Sequence, residues 1–157
     1  MTPTTSDEYD RVLLDTDVFS YLLKGTGDNA ARYRRHVDGK TVAVSFITVG
    51  EIYGGFFKAG FGQAHFDALE AKLHAGIVVI PYNLDICVAY GRLAVEKTEQ
   101  GSHRTIAVND RWIAASAIHH RLPLVTNNAP HFTGIGGLTV ITEPAPQTPK
   151  KSGDLLP

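Results

Sequence analysis

Short apolar runs separated by amphipathic stretches set the rhythm of this chain. Val12 to Asp15, Val42 to Val44, Ile77 to Ile80, Leu124 to Thr126 and Leu138 to Ile141 are brief and bounded by polar or turn-forming residues, so each predicts a strand. Between them the apolar spacing changes to that of helices. After Ser45, the residues Val49, Ile52, Tyr53, Phe56 and Phe57 fall at i, i+3, i+4, i+7 and i+8, with Glu51 beside that stripe rather than in it. Asn83 is placed to cap a helix carrying Ile86, Tyr90, Leu93, Ala94 and Lys97, with Gly101 as its stop. Another helix runs from Asn109-Asp110 through Trp112, Ile113, Ala117 and Ile118 to Arg121, and its alanines permit close approach to a sheet. A shorter helix, Val18 to Leu23, is expected to take Asp17 as its N-terminal cap. The stretch Gly54 to Phe66 mixes glycines with Phe56, Phe57, Phe61 and Phe66, and predicts a helical hairpin turning at Gly60 or Gly62. Strands alternating with helices imply an α/β fold, a three-layer α/β/α sandwich around a mostly parallel sheet of about five strands.

Composition narrows the class without naming a function. The 157 residues, 43% apolar and 20% charged, suit one soluble domain with a core of its own. That domain is expected over 11–142, between a flexible leader at 1–10 and a disordered tail at 143–157 that contains four prolines. Cys87 is the sole cysteine, which excludes an intrachain disulfide and a cysteine-based zinc cluster, and fits a reducing cytoplasm. The start is polar and acidic and no run is long enough to cross a bilayer, so neither secretion nor a membrane partner is expected. A net charge of -1 argues against holding nucleic acid by bulk electrostatics, so any RNA or DNA contact must be local. The strongest basic run, Arg32 to His36, reads as a solvated face, whereas His103-Arg104 and Arg111 are better placed to touch a phosphate near Asp110. The seven histidines show no metal-ligand spacing.

The chemistry is suggested by acids at the ends of elements. Asp15 closes the first apolar run, and the carboxyl ends of strands are where open α/β sheets place ligands. An acid there costs desolvation unless something positive is bound, and a divalent cation is the natural candidate. If the first and fourth strands are neighbours, Asp15 lies beside Thr126 and Asn128, and the helix-borne acids Glu51 and Asp110 can close a ring. Taken singly, each has a plainer reading: Asp15 as a helix cap, Glu51 as a solvated helix residue, Asp110 as a helix-start acid, Thr126 and Asn128 as turn residues.

Four segments in order, Leu13-Leu14-Asp15-Thr16-Asp17, Ser45 to Gly54, Asn109 to Ala117 and Leu124 to Phe132, resemble the PIN-domain ribonucleases, specifically the VapC toxins of bacterial toxin-antitoxin pairs. The resemblance spans nearly all of 11–141. It implies a metal-dependent endoribonuclease holding Mg²⁺ or Mn²⁺ through Asp15, Glu51 and Asp110, with Thr126 steadying the first aspartate. It also implies a homodimer, a VapB-type antitoxin as inhibitor, the region Phe56 to Phe66 as part of those interfaces, and RNA such as tRNA or rRNA as substrate. Asn128 stands where many such proteins carry a fourth acid, so a second metal site is expected to be weak or absent. That departure leaves a non-cleaving RNA- or protein-binding module as an alternative. A haloacid dehalogenase-type phosphatase would share the Asp15-Thr16-Asp17 opening, but only Glu143 and Asp154 follow Thr126 to supply its later acids.

Overall fold

The computed structural model describes residues 5–144. Five strands, β1 (Arg11–Leu14), β2 (Thr41–Ser45), β3 (Val78–Ile80), β4 (Leu124–Val125) and β5 (Val140–Ile141), form one sheet in the order β3-β2-β1-β4-β5. Every neighbouring pair is parallel. Six α-helices cover it: α1 (Thr16–Lys24), α2 (Asp28–Arg34), α3 (Phe46–Ala59), α4 (Gln63–His74), α5 (Leu84–Ala94) and α6 (Val108–His120). The three-layer α/β fold read from the apolar pattern is the one observed. Among the described residues, no helix is long and apolar enough to cross a membrane.

Side-chain alternation along the strands builds two cores. Val12 and Leu14 of β1 join Val44 and Val125 under α1 to α4, where Val18, Phe19, Tyr33, Ile52 and Leu69 pack. Leu13 points to the opposite face and meets Ala43 and Leu124 beneath Ile86 and Leu93 of α5 and Ile113 of α6. Ala114, Ala115 and Ala117 have no exposed surface, as close seating of α6 on the sheet requires. The central strand is therefore buried on both sides, which is why it reads as an uninterrupted apolar run.

Several helix ends differ from expectation for local reasons. Asp15, not Asp17, caps α1, its Oδ1 accepting from the Val18 amide at 2.9 Å, while Asp17 is exposed in the first turn. α5 stops at Ala94 instead of continuing past Lys97. The chain there enters a tight turn in which the Gly101 amide donates to Thr98 O at 2.8 Å, and Gly101 takes its positive φ of 81° inside that turn rather than at a helix end. The α3–α4 hairpin does turn at Gly60, with φ of 68°, and Ser45 and Asn83 do cap α3 and α5.

Helix α2 arises from the basic run that reads as a solvated face. Tyr33 in α2 and His36 just after it are buried, and the arginines of the run have intramolecular partners: Arg32 with Asn29 and Pro144 O, Arg34 with Gly25 O, Arg35 with Glu143. Contacts thus reach past 11–142 on both sides, because His36 Nδ1 lies 2.7 Å from Ser6 Oγ and Nε2 lies 2.6 Å from Glu143 Oε1. The remainder of the expected leader and tail lies outside the described residues. Replacing His36 by Phe keeps a ring in the pocket but removes the partner of buried Ser6 and leaves Glu143 to Arg35 alone, and is expected to cost about 1–3 kcal/mol in urea unfolding; an unchanged midpoint would show that this clasp contributes nothing.

Candidate metal centre at the mouth of the sheet

Asp15 leaves β1 next to the end of β4, where Leu14 pairs with Val125 and the Asp15 amide donates to Val125 O at 3.0 Å. From this point the two chains part. The segment after β1 turns into α1 on one face, whereas the segment after β4 runs into the 3₁₀ turn Ala129–His131, and Phe132 packs into the core on the other face. Such a divergence at the carboxyl ends of two central strands is where open α/β sheets form their ligand cleft.

The Asp15 carboxylate sits at the base of that cleft with only 5% of the residue exposed. Both oxygens are engaged, Oδ1 by the Val18 amide and Oδ2 by the hydroxyl of Thr126, which donates across from β4. Burial pushes its pKa from 3.8 up to about 6, against the pull of those two hydrogen bonds and with the negative charges of Asp17 and Asp110 adding to the rise. Asp110, distant along the chain, is thus near enough for its charge to act on Asp15.

The remaining expected residues arrive from three further elements. Asp110 is the third residue of α6, half-buried, with Oδ2 2.9 Å from His131 Nδ1. Glu51 lies exposed on α3, and Thr16 of α1 donates to its Oε1 at 2.6 Å. The Thr16 hydroxyl is also 3.1 Å from that of buried Thr48, one turn before Glu51 on the same helix. Asn128 donates its backbone amide to Thr126 Oγ1 at 2.9 Å, and its Nδ2 lies 2.8 Å from His131 Nδ1. Its neighbour Asn127 faces elsewhere, clamped between the hydroxyls of Tyr33 at 3.0 Å and Tyr21 at 3.2 Å.

Thr16, Thr48 and His131 were not singled out by sequence reasoning as site residues, although all three lie inside the recognised segments. Arg111 and Arg104, expected near phosphate, turn away from the cleft. The Arg111 guanidinium packs over the Tyr90 ring at 5.0 Å and donates to Ile106 O, while Arg104 donates to Thr133 O and faces Glu96. Residues adjacent on a helix point about 100° apart, so the neighbour of Asp110 does not share its direction.

The donor set suits a hard divalent ion: carboxylates, an amide oxygen and hydroxyls, with no thiol. Among the described residues, Asp15, Asp17 and Glu51 have no Lys or Arg ion-pair partner, and Asp110 pairs only with His131. No lysine or arginine among the described residues therefore offsets these acids. As placed, no three His, Cys, Asp or Glu side chains among the described residues close into one ion-holding group. Glu51 is drawn to Thr16, so joining an ion held at Asp15 would require its side chain to turn from that contact.

Residues 12–133 match the PIN domain model. Ribonuclease VapC1 of Haemophilus influenzae strain R2866 is 32% identical over 127 residues, covering 80% of this chain and 92% of that protein. Among solved structures, VapBC2 from Rickettsia felis bound to a DNA fragment from their promoter superposes with a TM-score of 0.71 at 25% identity, covering 85% of this chain and 99% of that one. A toxin-antitoxin complex from Klebsiella pneumoniae superposes with a TM-score of 0.60 at 27% identity, covering 83% and 96%.

The raised Asp15 pKa has a signed consequence for stability. Between pH 3.8 and about 6 the folded protein keeps a proton that the unfolded chain has released, so in EDTA this group's contribution to stability falls as pH rises through that window. A tenfold difference in proton affinity between the two states corresponds to about 1.4 kcal/mol. Urea unfolding of wild type and Asp15→Asn in EDTA should show their difference changing from pH 4 to 6 and levelling above it. Thr126→Val, which removes a stabilising hydrogen bond to the charged form, should move the upper edge of that window upward. A wild-type-minus-variant difference that stays flat with pH would contradict the assignment.

Proposed function

The chain belongs to the PIN-domain family, and we propose that it is a VapC-type toxin, a metal-dependent endoribonuclease held inactive by a cognate VapB-type antitoxin. The observation that carries this reading is the buried, hard-to-ionise Asp15 carboxylate at the carboxyl end of β1, held by Thr126 of the segment leaving β4 and within electrostatic reach of Asp110. Family membership also displaces the phosphatase alternative. PIN-domain ribonucleases depend on divalent metal as a family, and here the ion is assigned as Mg²⁺ or Mn²⁺.

In this reading Asp15 and Asp110 are direct ligands, Glu51 is a ligand or the group that takes a proton from the attacking water, and Thr126 and Asn128 are supporting polar groups. A divalent ion in the cleft would supply the Lewis acid that phosphodiester hydrolysis needs. The chain's own contributions are separate. The Val18 amide and Thr126 hydroxyl fix the Asp15 carboxylate, so its oxygens are oriented before anything binds. Thr16, whose hydroxyl also meets that of buried Thr48, donates to Glu51 and restrains its carboxylate. Asn128 adds no charge, which favours one ion over two.

The relatives support the partners as well as the activity. One relative is a ribonuclease and one structural neighbour is a toxin-antitoxin complex. On this chain, a groove between α1 and the α3–α4 hairpin is lined by Leu23, Ile52, Phe56, Phe61 and Leu69, and Phe57 beside it is 73% exposed. That apolar surface suits the antitoxin. Val78, Tyr82, Leu84 and Val88, exposed along β3 and the start of α5, offer area of the kind a second copy covers in a homodimer. A reducing cytoplasm suits the lone thiol of Cys87.

Purified toxin is expected to cut total cellular RNA with Mg²⁺ or Mn²⁺, giving discrete new 5′ ends in tRNA or rRNA. EDTA or Asp110→Asn should slow cleavage roughly 100-fold or more, the scale on which loss of a group acting in the transition state is felt. Equal cleavage by the variant, or in EDTA, would overturn the metal-site assignment. A protein that binds antitoxin but leaves all RNA intact with metal present would instead establish the non-cleaving module.

A further inference from the structure

We propose that His131 is the positioning residue of this centre, its Nδ1–H fixing which oxygen of Asp110 is presented to the ion. The proposal rests on the metal-site reading above. Among the described residues, His131 is the one side chain hydrogen-bonded both to Asp110, at 2.9 Å from Oδ2, and to Asn128, at 2.8 Å. It therefore joins α6 to the segment that follows β4, closing the ring that Thr126 opens on Asp15.

Its backbone is built for that role. The His131 amide donates to Asn128 O at 3.0 Å, the next residue, Phe132, is 1% exposed in the core under α6, and Arg104 Nη1 donates to Thr133 O at 2.9 Å. The turn is thus anchored on both sides while the imidazole itself remains 53% exposed. An ionised carboxylate only accepts, so the nitrogen facing Asp110 Oδ2 must carry the proton. Two donors cannot meet head to head, so Asn128 then turns its amide oxygen to the same N–H and its NH₂ outward. One imidazole N–H in this way draws together the oxygens of Asp110 and Asn128, and among the described residues leaves Asp110 Oδ1 without a hydrogen-bond partner.

This arrangement gives Asn128 a purpose that an acid could not fill equally well. A second carboxylate at position 128 would repel Asp110 across the imidazole, whereas the amide oxygen shares the proton without adding charge. Hydrogen-bond partners behind metal ligands commonly set affinity by about 10–100-fold when removed.

The test is isothermal titration of Mn²⁺ into the metal-free protein without RNA, for wild type, Asp110→Asn, His131→Ala, His131→Asn and His131→Gln. His131→Ala is expected to weaken Mn²⁺ about 10-fold or more with an unchanged unfolding midpoint. His131→Asn, whose Nδ2 falls near the place of Nδ1, should recover most of that loss, and His131→Gln should not. In the metal-free wild type, ¹⁵N spectra of the imidazole should show Nδ1 protonated. Mn²⁺ affinity of His131→Ala within two-fold of wild type would overturn the proposal, as would an unprotonated Nδ1 or nitrogen hyperfine coupling to Mn²⁺ that makes His131 a ligand. If Asp110→Asn also binds as tightly as wild type, the metal-site reading itself has failed; if Asp110→Asn alone loses the ion, only the role of His131 has.

Discussion

Burying the Asp15 carboxylate at the end of the central strand costs solvation that two hydrogen bonds return only in part, and the surroundings of the cleft follow from that debt. The Val18 amide can reach Oδ1 only because α1 starts at Thr16, immediately after the strand. The Thr126 hydroxyl can reach Oδ2 only because β4 lies beside β1 in register. With both partners in place the acid remains hard to ionise, and Asp110 opposite makes it harder. A fold that keeps such a group where nothing cationic offsets it gains by binding a cation.

The same carboxylate serves two ends that looked exclusive in the sequence. As an N-cap it satisfies an orphan amide of α1, and as a cleft acid it remains within electrostatic reach of Asp110. A carboxylate has lone pairs enough for both. Capping here is what aims the group, since the hydrogen bond from Val18 fixes the rotation of the side chain before any ligand arrives.

The sheet and most helices were legible because their signals are local. The apolar runs gave all five strands to within a residue or two, and Ser45, Asn83 and Gly60 mark real helix boundaries. Helix α2 was hidden because buried Tyr33 and His36 are interleaved with arginines whose charge reads as solvent, and only the contacts with Ser6, Glu143 and Pro144 show otherwise. The end of α5 was misplaced because a glycine marks a left-handed turn without saying what precedes it, and Gly101 belongs to a turn closed by Thr98 and Ser102. At the site, Asp15 and Thr126 could be paired from strand adjacency alone. The roles of Thr16, Thr48 and His131 depend on which way side chains turn on three different elements, and no spacing within one segment encodes that.

The central claim is that Asp15 and Asp110 hold one ion between them. Crystals of the protein soaked in Mn²⁺ and measured at the manganese absorption edge test it most directly. The account predicts an anomalous difference peak about 2.2 Å from an oxygen of each carboxylate, the distance expected for a hard divalent ion on oxygen ligands. A peak bound elsewhere, or a cleft in which the two carboxylates face apart at saturating Mn²⁺, would contradict it.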